Sequence, residues 1–137
     1  MKVNEYEVPE GLYYTKEHTW VKVEDGICRV GVTDYAQKAL NEVVFVELPK
    51  TGSKVEHMKP AGTLESVKAV SDFFSPVSGE VVEVNNSLPD KPELLNKKPY
   101  GDGWFAVVKP SNLDQELQAL MDAQKYGELL KTIIEQK

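Results

Sequence analysis

Two β-prone runs meet at a lysine in the stretch Thr63-Leu64-Glu65-Ser66-Val67-Lys68-Ala69-Val70-Ser71-Asp72-Phe73-Phe74. Valine, threonine and phenylalanine, which favour strands, occur on both sides, and Lys68-Ala69 interrupts the pattern. We therefore predict a β-hairpin whose turn contains Lys68. A lysine in such a turn faces water, so its amine is open to other molecules.

The amine of Lys68 is suited to one chemical use at this place. A carboxylic cofactor attached to it as an amide would remove the charge and tie a flexible arm to a rigid hairpin. The tether would raise the local concentration of the arm's far end around docked partners. The residues alone permit this interpretation without requiring it, since a solvated lysine in a surface turn is ordinary.

A second hairpin is predicted in the N-terminal third of the chain. Residues 20–24 and 27–32 alternate as strands do, and Asp25-Gly26 between them is a strong signal for a tight turn. Thr33 or Asp34 can cap a short helix that runs to residue 40. We further predict strands at residues 43–48, 80–84 and 104–108, and a long irregular loop with three prolines at residues 87–100.

The hydrophobic period changes from two to about 3.6 after Pro110, which predicts two C-terminal helices. Ser111 or Asn112 can cap the first helix, and Asp122 can cap the second. We therefore predict an α+β fold, mainly β, in one domain of residues 1–137, with a β core at about 13–109 and a helical cover at about 111–136. One helical face carries the apolar residues Leu117, Leu120, Met121, Tyr126, Leu129, Leu130, Ile133 and Ile134.

Composition excludes several classes of function. The formal net charge is −6, from 16 Lys and Arg against 22 Asp and Glu, so the averaged field repels nucleic acid and anionic membrane surfaces. No apolar run approaches the ~20 residues of a membrane-spanning helix, and residues 1–7 resemble no signal or transit peptide, so we expect a cytoplasmic protein. Cys28 is the only cysteine, and His18 and His57 are far apart, so no disulfide framework or metal site is indicated.

Five blocks of the sequence form an ordered series. Residues 65–85 are one block, and the others are Tyr14-Thr15-Lys16-Glu17-His18-Thr19-Trp20-Val21, Gly31-Val32-Thr33-Asp34-Tyr35-Ala36-Gln37, Val43-Val44-Phe45-Val46-Glu47-Leu48-Pro49 and Pro99-Tyr100-Gly101-Asp102-Gly103-Trp104. Together they resemble the glycine cleavage H-proteins, and residues 65–85 are similar to the lipoylation segment of that family. The family's flanking glycines also match, because Gly52 lies 16 positions before Lys68 and Gly79 lies 11 after it.

The resemblance implies a lipoyl-domain-like flattened β-barrel or sandwich with lipoate bound as an amide to Lys68. Glu65, Ser66, Val67 and Ala69 would be the neighbours that form the attachment motif. The protein would be a carrier without catalysis of its own. Its partners would be glycine decarboxylase, which loads an aminomethyl group, aminomethyltransferase, which unloads it, dihydrolipoamide dehydrogenase, which reoxidises the dithiol, and an enzyme that attaches lipoate or octanoate.

A cleft that holds the amine of the loaded arm is also implied by the resemblance, since water would otherwise remove the cargo. The resemblance assigns this task to carboxylates, of which Asp72 is present. Where the family commonly has His-Glu-Trp, this chain has His18-Thr19-Trp20, preceded by Glu17. Either Glu17 or the Thr19 hydroxyl then replaces the acidic residue that the family has in this position, or Glu17 is only a solvated charge. His18 would serve the cleft or pack beside the first hairpin.

Alternative functions share part of this pattern. A biotinyl carrier and the lipoyl domain of a 2-oxoacid dehydrogenase use the same hairpin lysine, but biotin acceptors usually have Met on both sides and 2-oxoacid domains commonly have Asp before it, where this chain has Val67 and Ala69. A lipoyl or octanoyl relay in lipoate assembly would have the same sequence features. An enzyme in its own right finds no support, because no paired carboxylates, nucleophile with base or phosphate loop can be placed together.

Overall fold

A computed structural model of the chain describes residues 1–136. Those residues contain eleven strands and four helices, numbered here in chain order. The strands are β1 (Lys2–Val3), β2 (Tyr6–Glu7), β3 (Tyr13–Tyr14), β4 (Thr19–Glu24), β5 (Ile27–Val32), β6 (Val43–Glu47), β7 (Lys54–Val55), β8 (Pro60–Ser66), β9 (Val70–Phe74), β10 (Gly79–Val84) and β11 (Ala106–Pro110). The helices are α1 (Asp34–Leu40), α2 (Glu93–Lys97), α3 (Leu113–Leu117) and α4 (Ala123–Glu135).

The strands pair antiparallel in three sheets. A six-stranded sheet has the order β3-β4-β5-β11-β10-β7, a three-stranded sheet has the order β6-β8-β9, and β1 pairs with β2. Across residues 1–136 these sheets stay separate and do not close into a barrel. The α+β, mainly β fold predicted from the sequence is therefore confirmed, and it takes the form of a flattened sandwich.

The predicted hairpin at Asp25-Gly26 is confirmed. Glu24 pairs with Ile27, which leaves exactly these two residues in the turn. Asp25 has φ 49° and Gly26 has φ 80°, the positive values that the favoured two-residue hairpin turn needs. The turn chemistry therefore sets the register of β4 against β5.

The main core lies between the two larger sheets. Buried apolar side chains from both sheets meet there, and the rings of Phe73 and Phe105 stack with their centroids 4.0 Å apart. Cys28 is fully buried in this core, and burial raises the pKa of its thiol to about 11, so it is an apolar core residue. Removal of these surfaces from water holds the two sheets together.

A second apolar cluster joins the two ends of the chain. Val3 and Val8 pack with Tyr126 and Leu130 of α4 and with Trp20 of β4. Ordered structure therefore extends to the N-terminal side of residue 13, where the β core was predicted to begin. The sequence did not predict β1 and β2, because strands of two residues are too short to show an alternating pattern.

The helix caps follow the sequence prediction in most respects. Asp122 caps α4 by accepting a hydrogen bond from the Lys125 N–H at 2.9 Å, as predicted. Asn112 occupies the N-cap of α3, but its side chain accepts no hydrogen bond from a backbone N–H of the first turn and instead donates from Nδ2 to the Gln115 side-chain oxygen at 3.3 Å. Of the two candidates for α1, Thr33 is the cap and Asp34 is the first helical residue.

Three details predicted from the sequence are wrong. Leu120 and Met121, predicted on a helical face, lie between α3 and α4, where Met121 forms a β-bridge with Tyr14 because both are held by backbone hydrogen bonds. Residues 87–100 are not wholly irregular, because α2 forms after Pro92 and buries Leu95. Its five residues are too few to show a helical period, and the neighbouring prolines indicated a loop. Strand β11 begins at Ala106, two residues later than predicted, so Trp104 lies outside it.

None of the helices within residues 1–136 has the length and apolar character that crossing a membrane requires. Across the same residues, no group of three or more His, Cys, Asp or Glu side chains is placed to hold a metal ion. The interpretation of residues 1–137 as one domain stays a prediction, and residue 137 lies outside the described range.

Candidate functional site

Lys68 lies in the turn between β8 and β9. The Ser66 backbone N–H donates to the Ala69 carbonyl oxygen at 2.8 Å, so the chain reverses over Val67 and Lys68. The side chain of Lys68 is exposed, and Val67 beside it is 67% exposed. The hairpin predicted from the sequence is therefore present, with its lysine at the tip.

Ser66 holds this turn. Its Oγ accepts hydrogen bonds from the backbone N–H groups of Lys68 at 3.1 Å and Ala69 at 3.0 Å, and its hydroxyl donates to the Ala69 carbonyl oxygen at 3.1 Å. A short side-chain oxygen of this kind satisfies turn amides that have no strand partner. The buried Ser66 thus fixes the direction in which the Lys68 side chain leaves the hairpin.

The tip is also tied to the end of α1. The Val67 N–H donates to the carbonyl oxygen of Glu42 at 3.0 Å. The Lys68 Nζ donates to the carbonyl oxygen of Ala39 at 3.4 Å. Ala39 belongs to the last turn of α1, where unpaired carbonyl groups attract a cation. The unmodified amine therefore rests beside α1 and stays open to solvent.

Exposed apolar side chains surround the tip. Val70 is 67% exposed, as Val67 is, and Phe45 is 52% exposed. Phe45 and Val70 both pair with Glu65, from the two strands that flank β8, so the three side chains form a row across the sheet. Grouped apolar side chains in water are typical of surfaces that contact other proteins.

A cleft of about 200 Å³ lies between α1, β9 and the residues that precede and begin β4. Ala39 lines it, so the cleft opens beside the Lys68 amine. The structure also brings together in its lining the four residues that the sequence suggested for an amine-holding cleft, which are Glu17, His18, Thr19 and Asp72. The rest of the lining consists of Val32, Tyr35, Ala36, Leu40, Leu64 and Ser71.

Glu17 and Asp72 give the cleft two carboxylates. Both residues are exposed, and within the described residues neither forms an ion pair. Carboxylates without a cationic partner of their own are available to a cation that enters from outside. The cleft can therefore bind a positively charged group at its mouth.

The Thr19 hydroxyl is engaged within the chain. Thr19 is buried, and its Oγ1 lies 2.8 Å from Oγ1 of Thr15. Thr15 Oγ1 also accepts hydrogen bonds from the backbone N–H groups of Glu17 at 3.2 Å and Thr19 at 3.3 Å. This network shapes the turn that carries Glu17 and His18 into the cleft.

His18 both lines the cleft and packs against neighbouring rings. Its Nδ1 lies 2.8 Å from the hydroxyl oxygen of Tyr126, and its ring centroid is 4.6 Å from that of Tyr35. Burial lowers the pKa of the His18 imidazole to about 4, so the ring is neutral at pH 7. The sequence placed Tyr126 on the apolar face of the last helix, but helical periodicity carries no information about where its hydroxyl reaches.

The backbone at and near β10 requires the two flanking glycines, Gly52 and Gly79. A Cβ on Gly79 would lie 2.1 Å from the carbonyl oxygen of Lys109 on the paired strand, so a larger residue does not fit there. Gly52 has φ 92°, and its N–H donates to the carbonyl oxygen of Val81 at 2.7 Å. Neither glycine lines the cleft, so their place near the lysine in the sequence reflects the fold.

Comparisons with known proteins agree with one another. The family model of the glycine cleavage H-protein matches residues 12–133. The probable glycine cleavage system H protein of Pyrococcus abyssi is 55% identical, over 97% of this chain and 99% of that one, and the glycine cleavage system H protein of Oceanobacillus iheyensis is 49% identical, over 87% and 94%. A crystal structure of a glycine cleavage system H protein from Mycobacterium marinum gives a TM-score of 0.83 at 36% identity, covering 90% of this chain and 99% of that one.

A flattened β-sandwich that presents one lysine on an exposed turn, with a small cleft beside it, defines a carrier protein for a tethered group. This carrier is similar along nearly its whole length to proteins of one kind. The chain belongs to the glycine cleavage H-protein family. It is a lipoyl carrier component of the glycine cleavage system and not an enzyme, which confirms the function expected from the resemblance and sets aside the biotinyl and 2-oxoacid alternatives.

Proposed function

We propose that Lys68 carries lipoate as an amide and that the chain moves an aminomethyl group from glycine decarboxylase to aminomethyltransferase. The observation that carries this proposal is the exposed Lys68 amine at the mouth of the cleft. When attached, lipoate supplies a disulfide that opens to take the cargo and is closed again by oxidation. Dihydrolipoamide dehydrogenase is the proposed partner for that oxidation.

The cleft fits such an arm in two respects. Its apolar lining, which includes Val32, Leu40 and Leu64, suits a hydrocarbon chain and excludes water from it. Glu17 and Asp72 suit a cationic amine at the end of that chain. The protein's part in the reaction is therefore to tether the arm, shelter it and keep the amine of the cargo protonated.

We propose Glu17 as the replacement for the acidic residue that the family commonly has at the position of Thr19. The Glu17 carboxylate is exposed and has no ion-pair partner within residues 1–136. The Thr19 hydroxyl is buried and bonded to Thr15, so it would have to give up that partner to bind an amine. Glu17 and Asp72 together would then supply the charge that holds the cargo.

We propose four partner enzymes, namely the three named above and the enzyme that attaches lipoate or octanoate. The attaching enzyme has to bring the Lys68 amine into its own active site, and the exposed tip meets that requirement. Nucleic acid and membranes are not proposed as partners, because a net charge of −6 repels phosphate groups. A cytoplasmic location stays a prediction.

Bicarbonate exchange tests the proposal. Purified glycine decarboxylase is expected to exchange labelled bicarbonate into glycine when the lipoylated wild-type chain is added. The Lys68→Arg chain, treated with the same attaching enzyme, is the matched control, since arginine keeps the charge but does not become lipoylated, and it is expected to support no exchange. Equal exchange with both chains would contradict the proposal. Lipoylation of the wild-type chain without any exchange would instead favour the relay role in lipoate assembly.

A further inference from the structure

The surface around the Lys68 turn exposes apolar side chains to water. Val67 and Val70, on the two sides of the lysine in the sequence, are each 67% exposed, and Phe45 is 52% exposed. Phe45 belongs to β6 and Val70 to β9, the two outer strands of the three-stranded sheet. Phe45, Val67 and Val70 together form an apolar tip surface. Water contact with these side chains is unfavourable, so a partner that covers them gains free energy.

The apolar tip surface is held in place by the fold of the unmodified chain. The Val67 N–H donates to the Glu42 carbonyl oxygen at 3.0 Å, and Ser66 fixes the turn through three hydrogen bonds. Phe45 and Val70 are placed by strand pairing, since both lie opposite Glu65 of β8. A surface that is already ordered loses little conformational freedom when a partner binds. The tip can therefore act as a preformed docking site.

Attachment of a group to Lys68 requires that this lysine be distinguished from the others. The chain has fifteen lysines, because Arg29 is the only arginine among the 16 Lys and Arg. Lys2, Lys22 and Lys98 are also exposed, but each forms an ion pair with a carboxylate. Within residues 1–136, Lys68 forms no ion pair, and the apolar tip surface lies beside it. The apolar neighbours therefore distinguish an amine that its charge cannot.

The partner that has to approach this surface most closely is the attaching enzyme. In attachment the Lys68 amine, after loss of a proton, bonds to the carbonyl carbon of an activated lipoyl or octanoyl group, such as a thioester or an acyl phosphate. The activating group leaves with the electron pair of its bond to that carbon. The enzyme must therefore place its active site around Nζ itself. The other three partners react with sulfur at the far end of the arm, farther from the hairpin by the length of that arm.

We propose that the apolar tip surface is the docking site of the attaching enzyme, which covers Phe45, Val67 and Val70 with apolar side chains around the mouth of its active site. The proposal rests on the carrier function proposed for Lys68 and names what one of the partners recognises. A second copy of this chain fits the surface less well, because three side chains expose less than the roughly 800 Å² per partner that a stable interface buries. A small contact suits an enzyme that releases its product after each turnover.

Steady-state kinetics of attachment to the unmodified full-length chain test the proposal. Val67→Thr combined with Val70→Thr replaces one methyl group by a hydroxyl at each position and keeps the β-branched shape that strands favour. The KM for the chain is expected to rise about tenfold and kcat to stay within about twofold, because docking is weakened while the amine is unchanged. Phe45→Ala is expected to raise KM by a similar factor, since it removes an aromatic contact. An unchanged KM in either variant would overturn the proposal.

Val23→Thr is the matched control. Val23 is an exposed apolar residue of β4, in the six-stranded sheet and next to the Asp25-Gly26 turn, so the same substitution there leaves the tip intact. It is expected to change KM by less than about twofold, and a rise as large as that of the double variant would contradict the proposal.

A chain that cannot be acylated measures docking without attachment. Lys68→Arg is expected to inhibit attachment to the wild-type chain competitively, because it keeps the apolar tip surface. The same chain with Val67→Thr and Val70→Thr added is expected to inhibit about tenfold less strongly. Equal inhibition by the two chains would contradict the proposal.

Fully lipoylated protein identifies which partner occupies the surface. Prolonged treatment with excess attaching enzyme is expected to load the double threonine variant in spite of its raised KM. The loaded variant is then expected to support bicarbonate exchange by glycine decarboxylase within about twofold of the loaded wild-type chain. A loss of exchange as large as the rise in KM would assign the surface to the decarboxylase and overturn the proposal. Lipoylation of the Lys68→Arg chain on another residue would refute the carrier assignment itself, whereas a normal KM in the double variant would refute only the docking site.

Discussion

The hairpin tip and the cleft, the two ends of the proposed arm, are built in opposite ways. At the tip, residues 65–70 are contiguous and one side chain, Ser66, holds the turn. At the cleft, the lining comes from three separate parts of the chain, and His18 is held by Tyr126, 108 positions away. Attachment of the arm is thus a property of one hairpin, whereas protection of its cargo is a property of the assembled fold.

The largest effect is expected from a substitution at the tip of the hairpin. Lys68→Arg is expected to abolish lipoylation completely and to change the free energy of unfolding by less than about 0.5 kcal/mol, because the side chain is exposed. Intact-protein mass spectrometry and urea unfolding measure the two quantities. A large loss of stability would mean that Lys68 belongs to the packed structure and would contradict the local character of the tip.

The pH dependence of the free energy of unfolding tests the burial of His18 in the cleft. Burial lowers the pKa of His18 to about 4 in the folded protein, against ~6.5 in the unfolded chain. Between these values the unfolded chain binds more protons, so the free energy of unfolding falls as the pH drops from ~6.5 towards 4, by up to about 3 kcal/mol from this group. His18→Asn is expected to lose this component. Urea unfolding of both proteins at several pH values measures it, and identical pH dependences would show that His18 is not buried as described.

A pair of substitutions at the cleft tests which residue replaces the family's acidic group. Glu17→Gln is expected to shorten the lifetime of the aminomethyl-loaded form about tenfold, or about 1.4 kcal/mol, because it removes a charge from beside the amine. Thr19→Val is the matched control and is expected to change that lifetime less than about twofold, since its hydroxyl is bonded to Thr15. The reverse order of effects would assign the role to Thr19.

The smallest expected effect again concerns the tip. Ser66→Ala removes the acceptor of two turn N–H groups and is expected to lower the free energy of unfolding by about 1 kcal/mol. The His18 NMR signals are expected to stay as in the wild type, because the change is confined to the hairpin. Altered His18 signals would show that the tip and the cleft are coupled.

The same contrast explains what the sequence could predict. Asp25-Gly26 and Lys68-Ala69 lie between alternating runs, so both hairpins follow from neighbouring residues alone. Asp122 could be identified as a cap for the same reason. The short elements β1, β2 and α2 could not be predicted, because two to five residues show no period and their positions depend on packing with distant parts of the chain.

The cleft could be predicted only in part. The resemblance indicated Asp72 and the segment Glu17-His18-Thr19, and the structure brings these residues together. It did not indicate whether Glu17 or the Thr19 hydroxyl is available, since that depends on the bond to Thr15. Tyr126 was missed altogether, because a hydrogen bond between residues so far apart in the chain leaves no trace in the periodicity of either segment.

The function proposed for this protein depends on the Lys68 side chain carrying the lipoyl arm. Peptide mass spectrometry after trypsin tests it most directly, on protein from cells that contain a lipoate-attaching enzyme. The expected result is a peptide that spans Lys68 uncut and has the added mass of one lipoyl group. Complete cleavage after Lys68, or a lipoyl group on a different lysine of the same chain, would contradict it.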